Sequence, residues 1–296
     1  MMMNHSGLSP GALAQVACVL EATARKPGNV HRFRDFEDSH YLDYLLSAAA
    51  IAGPIDRAGT IGVGAAVLEA VEATRRVVAT NTNLGMVLLL APLAAVAEDE
   101  GLAEGARRVL DTTTRDDARL VYRAIRLARP GGLGTVAEQD VAAEPTVRLL
   151  DAMRLAAGRD LVARQYANGY ADVFQIVLPA LRDSLAKGRL LETAIVAAFL
   201  GLLARLPDTL IARKRGPTEA LDASRRATEV LMAGWPETEA GRARFESFDA
   251  WLRAEEHARN PGAAADLVSA GLFAALRDGT IALPRPAGAS GWSIVP

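Results

Sequence analysis

The chain has 296 residues and a formal net charge of −2, which excludes the broad Lys/Arg excess that nonspecific nucleic-acid binding requires. Half of it is hydrophobic and only 5% aromatic, so the expected class is all-α: a compact multi-helix single domain packed mainly from Ala, Leu and Val. Its single cysteine, Cys18, excludes an intrachain disulfide and a thiolate metal cluster, and fits a reducing cytoplasm.

Residues 1–10 carry neither the positive n-region nor the apolar core of an export signal. Residues 1–8 are expected to be a disordered tail, residues 9–280 the all-helical catalytic domain, and residues 281–296 a Pro/Gly-rich tail. Ser9-Pro10 starts a helix in which Leu13, Val16, Ala17 and Leu20 recur at helical spacing. This places Glu21 one turn before the stretch Arg25-Lys26-Pro27-Gly28-Asn29-Val30-His31-Arg32. Pro27 and Gly28 force a sharp turn there, and Lys26, Asn29, His31 and Arg32 are expected to face anionic oxygen, with the Lys26 ammonium exposed to ligand. The alternative reading is a basic helix end matched to the helix dipole.

Asp38 is the expected cap of a second helix, which Gly53-Pro54 should stop. Residues 59–64 are glycine-rich but lack the Gly-Lys-Ser/Thr ending of a P-loop and follow no strand pattern. Thr80-Asn81-Thr82-Asn83-Leu84-Gly85 then leads into the apolar run 86–97, kinked at Pro92. One or two of these polar residues are explained by capping; four in a row at a helix N-terminus suit a phosphate or metal-phosphate group. The runs 86–97 and 193–204 both fall short of the roughly 20 apolar residues that cross a bilayer. Between them, Asp140 and Glu144 lie four apart and Pro145 starts a further helix. Asp208 precedes the basic cluster Arg213-Lys214-Arg215, and Asp266 follows a second Pro-Gly turn at Asn260-Pro261-Gly262. His40 and His257 stand in polar contexts and are expected at the surface. Neither a His-Glu-x-x-His pattern nor a Gly-x-Ser-x-Gly elbow is present.

Glu21 followed by Lys26-Pro27-Gly28-Asn29-Val30, the Thr80–Gly85 stretch, Pro207-Asp208-Thr209 with Gly216 downstream, and Asn260-Pro261-Gly262 leading to Ala265-Asp266-Leu267 together resemble the triphosphoribosyl-dephospho-CoA synthase family. The resemblance implies an all-α pentosyltransferase that moves the triphosphoribosyl group of ATP to the 2′-hydroxyl of 3′-dephospho-CoA and releases adenine. It also implies Mg²⁺, since a triphosphate is handled as its metal complex. Partners are then ATP and 3′-dephospho-CoA or a related small acceptor, with no nucleic acid and no membrane.

Breaking a ribose–adenine bond builds positive charge on the sugar, which a carboxylate stabilises while a second group takes a proton from the incoming hydroxyl. The candidate catalytic acids are Asp208, Asp266 and Glu21. Lys26, His31 and Arg213 are candidate phosphate contacts, and Asn29, Asn81 and Asn83 candidate sugar or phosphate contacts. Asp208, Asp266 and Asp140 are the candidate Mg²⁺ ligands. The chain departs from the family where Asn83-Leu84 replaces His-Lys and Leu210 replaces Asn. Those changes leave two alternatives: a related nucleotide- or ribosyl-phosphate-using transferase in one-carbon carrier cofactor biosynthesis, or a non-catalytic helical nucleotide-binding protein.

Overall fold

The computed structural model describes residues 7–132 and 134–282, and their regular elements are all helical. The chain runs through α1 (Pro10–Thr23), α2 (Tyr41–Asp56), the single turn α3 (Ala58–Ile61), α4 (Val63–Val77) and α5 (Leu84–Ala94). Next come α6 (Leu102–Thr112), α7 (Arg115–Ala128), α8 (Leu149–Ala156) and α9 (Leu161–Asn168). A π-helical turn at Val173–Val177 leads to α10 (Leu178–Ala186), α11 (Leu191–Arg205), α12 (Thr209–Arg215), α13 (Pro217–Met232), α14 (Glu239–Arg253) and α15 (Gly262–Arg277). The all-α expectation holds. The expected tails fall mostly outside the described residues, as does His5, but Ile281 is buried and donates its N–H to Ala275.

Two helices form the interior. Along α5 every residue but Gly85 is buried, and along α15 every residue but Gly262 and Asp266. Around α15 pack α1, α5, α9, α10, α11 and α12; alanines at 263–265, 270, 274 and 275 keep its surface low enough for that many neighbours to approach. Each buried leucine of α5, such as Leu89, Leu90 and Leu93, contributes about 1.5–3 kcal/mol relative to exposure.

Pro92 sits inside α5 and offers no N–H to the Leu88 carbonyl four residues earlier. The Tyr166 hydroxyl supplies the missing donor at 2.7 Å, and the Tyr170 hydroxyl donates to the Leu89 carbonyl at 2.7 Å. The last residue of α15, Arg277, donates to the Leu93 and Val96 carbonyls at 3.3 and 3.0 Å, capping the end of α5. Three buried polar side chains, Tyr166, Tyr170 and Arg277, are therefore spent on the proline helix.

Several local expectations shift. The second helix begins at Tyr41 rather than after Asp38, with the His40 N–H donating to the Asp43 carboxylate at 2.8 Å, and it runs through Gly53-Pro54 to Asp56. Residues 59–64 form a helix junction: the Gly64 N–H donates to Asp117 of α7 at 2.8 Å. After Pro145, helix begins only at Leu149. Among the described residues no single helix is long and apolar enough to cross a membrane; α11 and α12 bend by 57° at the corner occupied by Asp208.

Candidate functional site

The Pro27-Gly28 turn is held from α14. The Gly28 N–H donates to Asp249 at 2.7 Å, Arg253 donates to the Asn29 carbonyl at 2.6 Å, and Gly28 has φ +75° with its Cα against Leu252. A side chain at position 28 would be strained in conformation and would collide with Leu252. The turn folds Lys26 back onto the end of α1, so its ammonium is 0% exposed and lies 2.8 Å from the Glu21 carboxylate. It also donates to the Glu21 and Ala24 carbonyls, which lack helical partners at a C-terminus. The expected exposed, phosphate-holding Lys26 is thus corrected: its charge is consumed within the protein.

Above Glu21 opens a cleft of about 540 Å³, bounded by the 29–39 loop, the 79–83 loop, the end of α7 and the starts of α9, α12 and α15. Its floor is acidic. Glu21, Asp160 and Asp266 line it, with Asp208 behind. The Asp266 carboxyl lies against Gly85, where an added Cβ would sit 1.9 Å from Oδ2; only glycine lets the carboxyl approach the first turn of α5. Burial, reinforced by Glu21, Asp208 and Asp160, holds the Asp266 carboxyl well above the usual carboxylate range, and Arg213 opposes this. Burial also raises Glu21, against the Lys26 ammonium.

The rim is basic. Arg75, Arg129, Arg213 and Lys214 line the cleft, and Arg129 reaches it from a left-handed cap at the end of α7, φ 51°. Arg213 donates to Asp160 at 2.5 Å, and that carboxylate also caps α9 through the Val162 and Ala163 N–H groups. Three buried polar atoms without a partner belong to lining residues: Asn29 Oδ1, Thr80 Oγ1 and Arg213 Nε. A buried polar atom left without a partner calls for an explanation, and a ligand in the adjoining cleft is one.

The other candidates separate into lining and supporting groups. Asn81 and Asn83 line the cleft, but Asn81 Oδ1 accepts the N–H of Leu84, the first residue of α5, at 3.2 Å, and Asn83 Nδ2 donates to Thr74 at 3.1 Å. Asp208 is fully buried, does not line the cleft, and accepts N–H groups from Leu210 (2.8 Å), Ile211 (3.1 Å) and Ala264 (2.7 Å), clamping α12 to the start of α15. Burial pushes its carboxyl up to about 6 against those three donors. His31 is buried away from the cleft, its Nδ1 accepting the Phe33 N–H at 3.3 Å. Burial, then the Arg253 and Lys26 charges, pushes it down to about 4, so it is neutral and offers no cation to phosphate.

Asp160 and Arg75 line the cleft without having been singled out as site residues in the sequence, because a helix-start acid is locally indistinguishable from a cap, whereas Thr80 and Asn260 belong to stretches that the sequence did point to. His257, expected at the surface, instead lines the cleft and stacks on Phe36, ring centroids 4.1 Å apart.

The expected Mg²⁺ set Asp208, Asp266 and Asp140 is not assembled. Asp140 lies outside the cleft lining, its oxygens accepting the Val136 and Ala142 N–H groups at 2.7 and 2.8 Å, and those of Asp208 are filled as above. Among the described residues no group of three or more His, Cys, Asp and Glu is disposed to hold a metal alone. What remains is Asp266, whose carboxyl receives no hydrogen bond from any described residue and faces further carboxylates. That donor set fits a hard cation held by one or two carboxylates together with substrate phosphates.

The family model described as CitG, ATP:dephospho-CoA triphosphoribosyl transferase, matches residues 8–284, spanning every helix and every cleft segment just described. The chain belongs to this family. A crystal structure described as "putative triphosphoribosyl-dephospho-coA synthase from Archaeoglobus fulgidus" superposes with a TM-score of 0.61 at 27% identity, covering 79% of this chain and 99% of that one. The 2-(5''-triphosphoribosyl)-3'-dephosphocoenzyme-A synthase of Klebsiella pneumoniae is 34% identical over 112 residues, 38% of this chain and 39% of the relative. A Pseudomonas fluorescens protein named "Probable 2-(5''-triphosphoribosyl)-3'-dephosphocoenzyme-A synthase" is 36% identical over 112 residues, 38% of each chain. The matched stretch thus spans well under half the length of these curated relatives.

Proposed function

We propose that this protein transfers the triphosphoribosyl group of ATP to the 2′-hydroxyl of 3′-dephospho-CoA, releasing adenine. The observation that carries the reading is the polarity of the cleft, a basic rim over a floor of carboxylates, inside a chain of this family. The four rim cations suit a triphosphate. The floor suits the opposite sign, the positive charge that develops on ribose as the bond to adenine breaks.

Asp266 is the group best placed for that stabilisation, because its residue lines the cleft and its carboxyl receives no hydrogen bond from any described residue. Glu21 supports it from the end of α1, with Lys26 limiting the repulsion between them. Mg²⁺ would be held by Asp266 and the phosphates, and when bound it supplies neutralising charge to the triphosphate. Asp208 holds the starts of α12 and α15 together and so positions Arg213 and Asp266.

The test is direct. The protein, ATP, Mg²⁺ and 3′-dephospho-CoA are incubated and separated by liquid chromatography. Free adenine should accumulate in step with an acceptor whose mass rises by one triphosphoribosyl group. Adenine-free mixtures at enzyme levels that bind both nucleotides would defeat the proposal.

A further inference from the structure

Among the floor acids, Asp160 alone is ion-paired with a cation of the rim. Its Oδ2 accepts from Arg213 Nη1 at 2.5 Å, the two side chains being 27% and 25% exposed. This is the one hydrogen bond that the Arg213 guanidinium makes to a described residue, and its Nε is buried without a partner. Asp160 is fixed in turn. Its Oδ1 caps α9 through the Val162 and Ala163 N–H groups at 2.8 and 3.0 Å, and the Leu161 N–H beside them goes to Thr209 Oγ1 at 3.1 Å. Thr209 and Arg213 lie one turn apart on the same face of α12, so the start of α9 is fastened to both turns of that short helix.

A cap needs only one of the two Asp160 oxygens. Asn and Ser cap about as well as Asp, and either would put one carboxylate fewer into a cleft whose proposed guest is a triphosphate. The second oxygen has a different use. A long arginine side chain gives up rotamer freedom when a ligand orders it, and that loss is smaller where the guanidinium is already held. The other rim cations lack such a partner: Arg75 donates to the Ala79 carbonyl, and Arg129 and Lys214 make no ion pair with a described residue.

We infer that Asp160 is a positioning residue, which holds the Arg213 guanidinium at the cleft so that a triphosphate meets a cation already in place. This rests on the proposed nucleotide reading and names the group that readies one of the rim cations. The sign of one substitution separates positioning from simple charge. Removing a carboxylate near a triphosphate removes repulsion, so charge alone has Asp160→Asn bind the nucleotide more tightly. Loss of positioning has it bind more weakly.

Asp160→Asn keeps an oxygen for the Val162 and Ala163 N–H groups and so leaves the cap of α9 in place. Wild type, Asp160→Asn, Arg213→Met and the double variant are each titrated calorimetrically with Mg-ATP. The Kd should rise roughly threefold to tenfold in Asp160→Asn and at least as much in Arg213→Met. Adding Asp160→Asn to Arg213→Met should leave the Kd unchanged or lower it, because no guanidinium remains to be held. An Asp160 that served only the fold would raise the Kd by the same factor in both backgrounds, and that result would overturn the inference. So would an Asp160→Asn protein that binds Mg-ATP as tightly as wild type or more tightly, with the nucleotide reading left intact. Asp160→Ser, also a good cap, carries the test if Asp160→Asn fails to fold. A wild type that binds no Mg-ATP would overturn the nucleotide reading and the inference together.

Discussion

The Lys26 ammonium lies 2.8 Å from the Glu21 carboxylate, and both side chains are sealed from solvent. A buried pair of this kind is not itself a source of much stability, but removing one partner strands the other charge. Lys26→Met should therefore destabilise the fold by roughly 3–5 kcal/mol, measured by urea denaturation. The double variant Lys26→Met with Glu21→Leu should recover most of that loss. A Lys26→Met protein as stable as wild type would show that Glu21 is already neutral when paired.

Asp266 is a second group whose environment opposes its charge. Burial and three neighbouring acids raise the pKa of the Asp266 carboxyl, so Asp266→Asn removes a charge that the fold disfavours and should leave the melting temperature unchanged or raise it, while adenine release falls by about 100-fold or more. Calorimetric melting and the adenine assay check the two halves separately. A variant that loses both stability and activity would make Asp266 a structural residue.

Gly85→Ala tests the same contact from the other side. Its Cβ would stand 1.9 Å from Asp266 Oδ2, so the carboxyl must move. Turnover should drop by about tenfold or more, with helical content by circular dichroism unaltered. Gly134→Ala, where an added Cβ meets nothing within 4 Å but the backbone has φ +65°, is the control for a glycine change that leaves the cleft alone.

The rim cations act on a different quantity. Lys214 and Arg129 are exposed, so Lys214→Ala and Arg129→Ala should each raise KM for ATP roughly threefold to tenfold, with little change in kcat and a shallower salt dependence of kcat/KM. Steady-state kinetics at low and high salt will show whether the effect is electrostatic.

His31 sets an acid limit. Its pKa falls from 6.5 to about 4 in the fold, so its contribution to stability is complete above pH 6.5 and is lost as the pH drops through about 4. The unfolded chain takes up the proton first. The groups facing it are Arg253, Lys26 and Arg25, which disfavour its protonation, and Asp249, which favours it. Wild type should lose melting temperature between pH 6.5 and 4, and His31→Gln should show a shallower decline over that window.

The helical class was legible in the sequence because periodic Ala, Leu and Val between Pro/Gly stops carry local information. The segments of the site were legible for a related reason, since turns and helix starts have their own chemistry. Which side of each segment faces ligand was not written there. Lys26 and Asp208 look like ligand groups in sequence, yet the fold buries both to satisfy helix ends. Asp160 looks like an ordinary cap, yet it lines the cleft. A helix terminus and an anion site demand the same residue types. Only the tertiary packing of α15 against α1, α5 and α12 decides which of those groups have their hydrogen bonds filled by the protein and which are left facing the cleft.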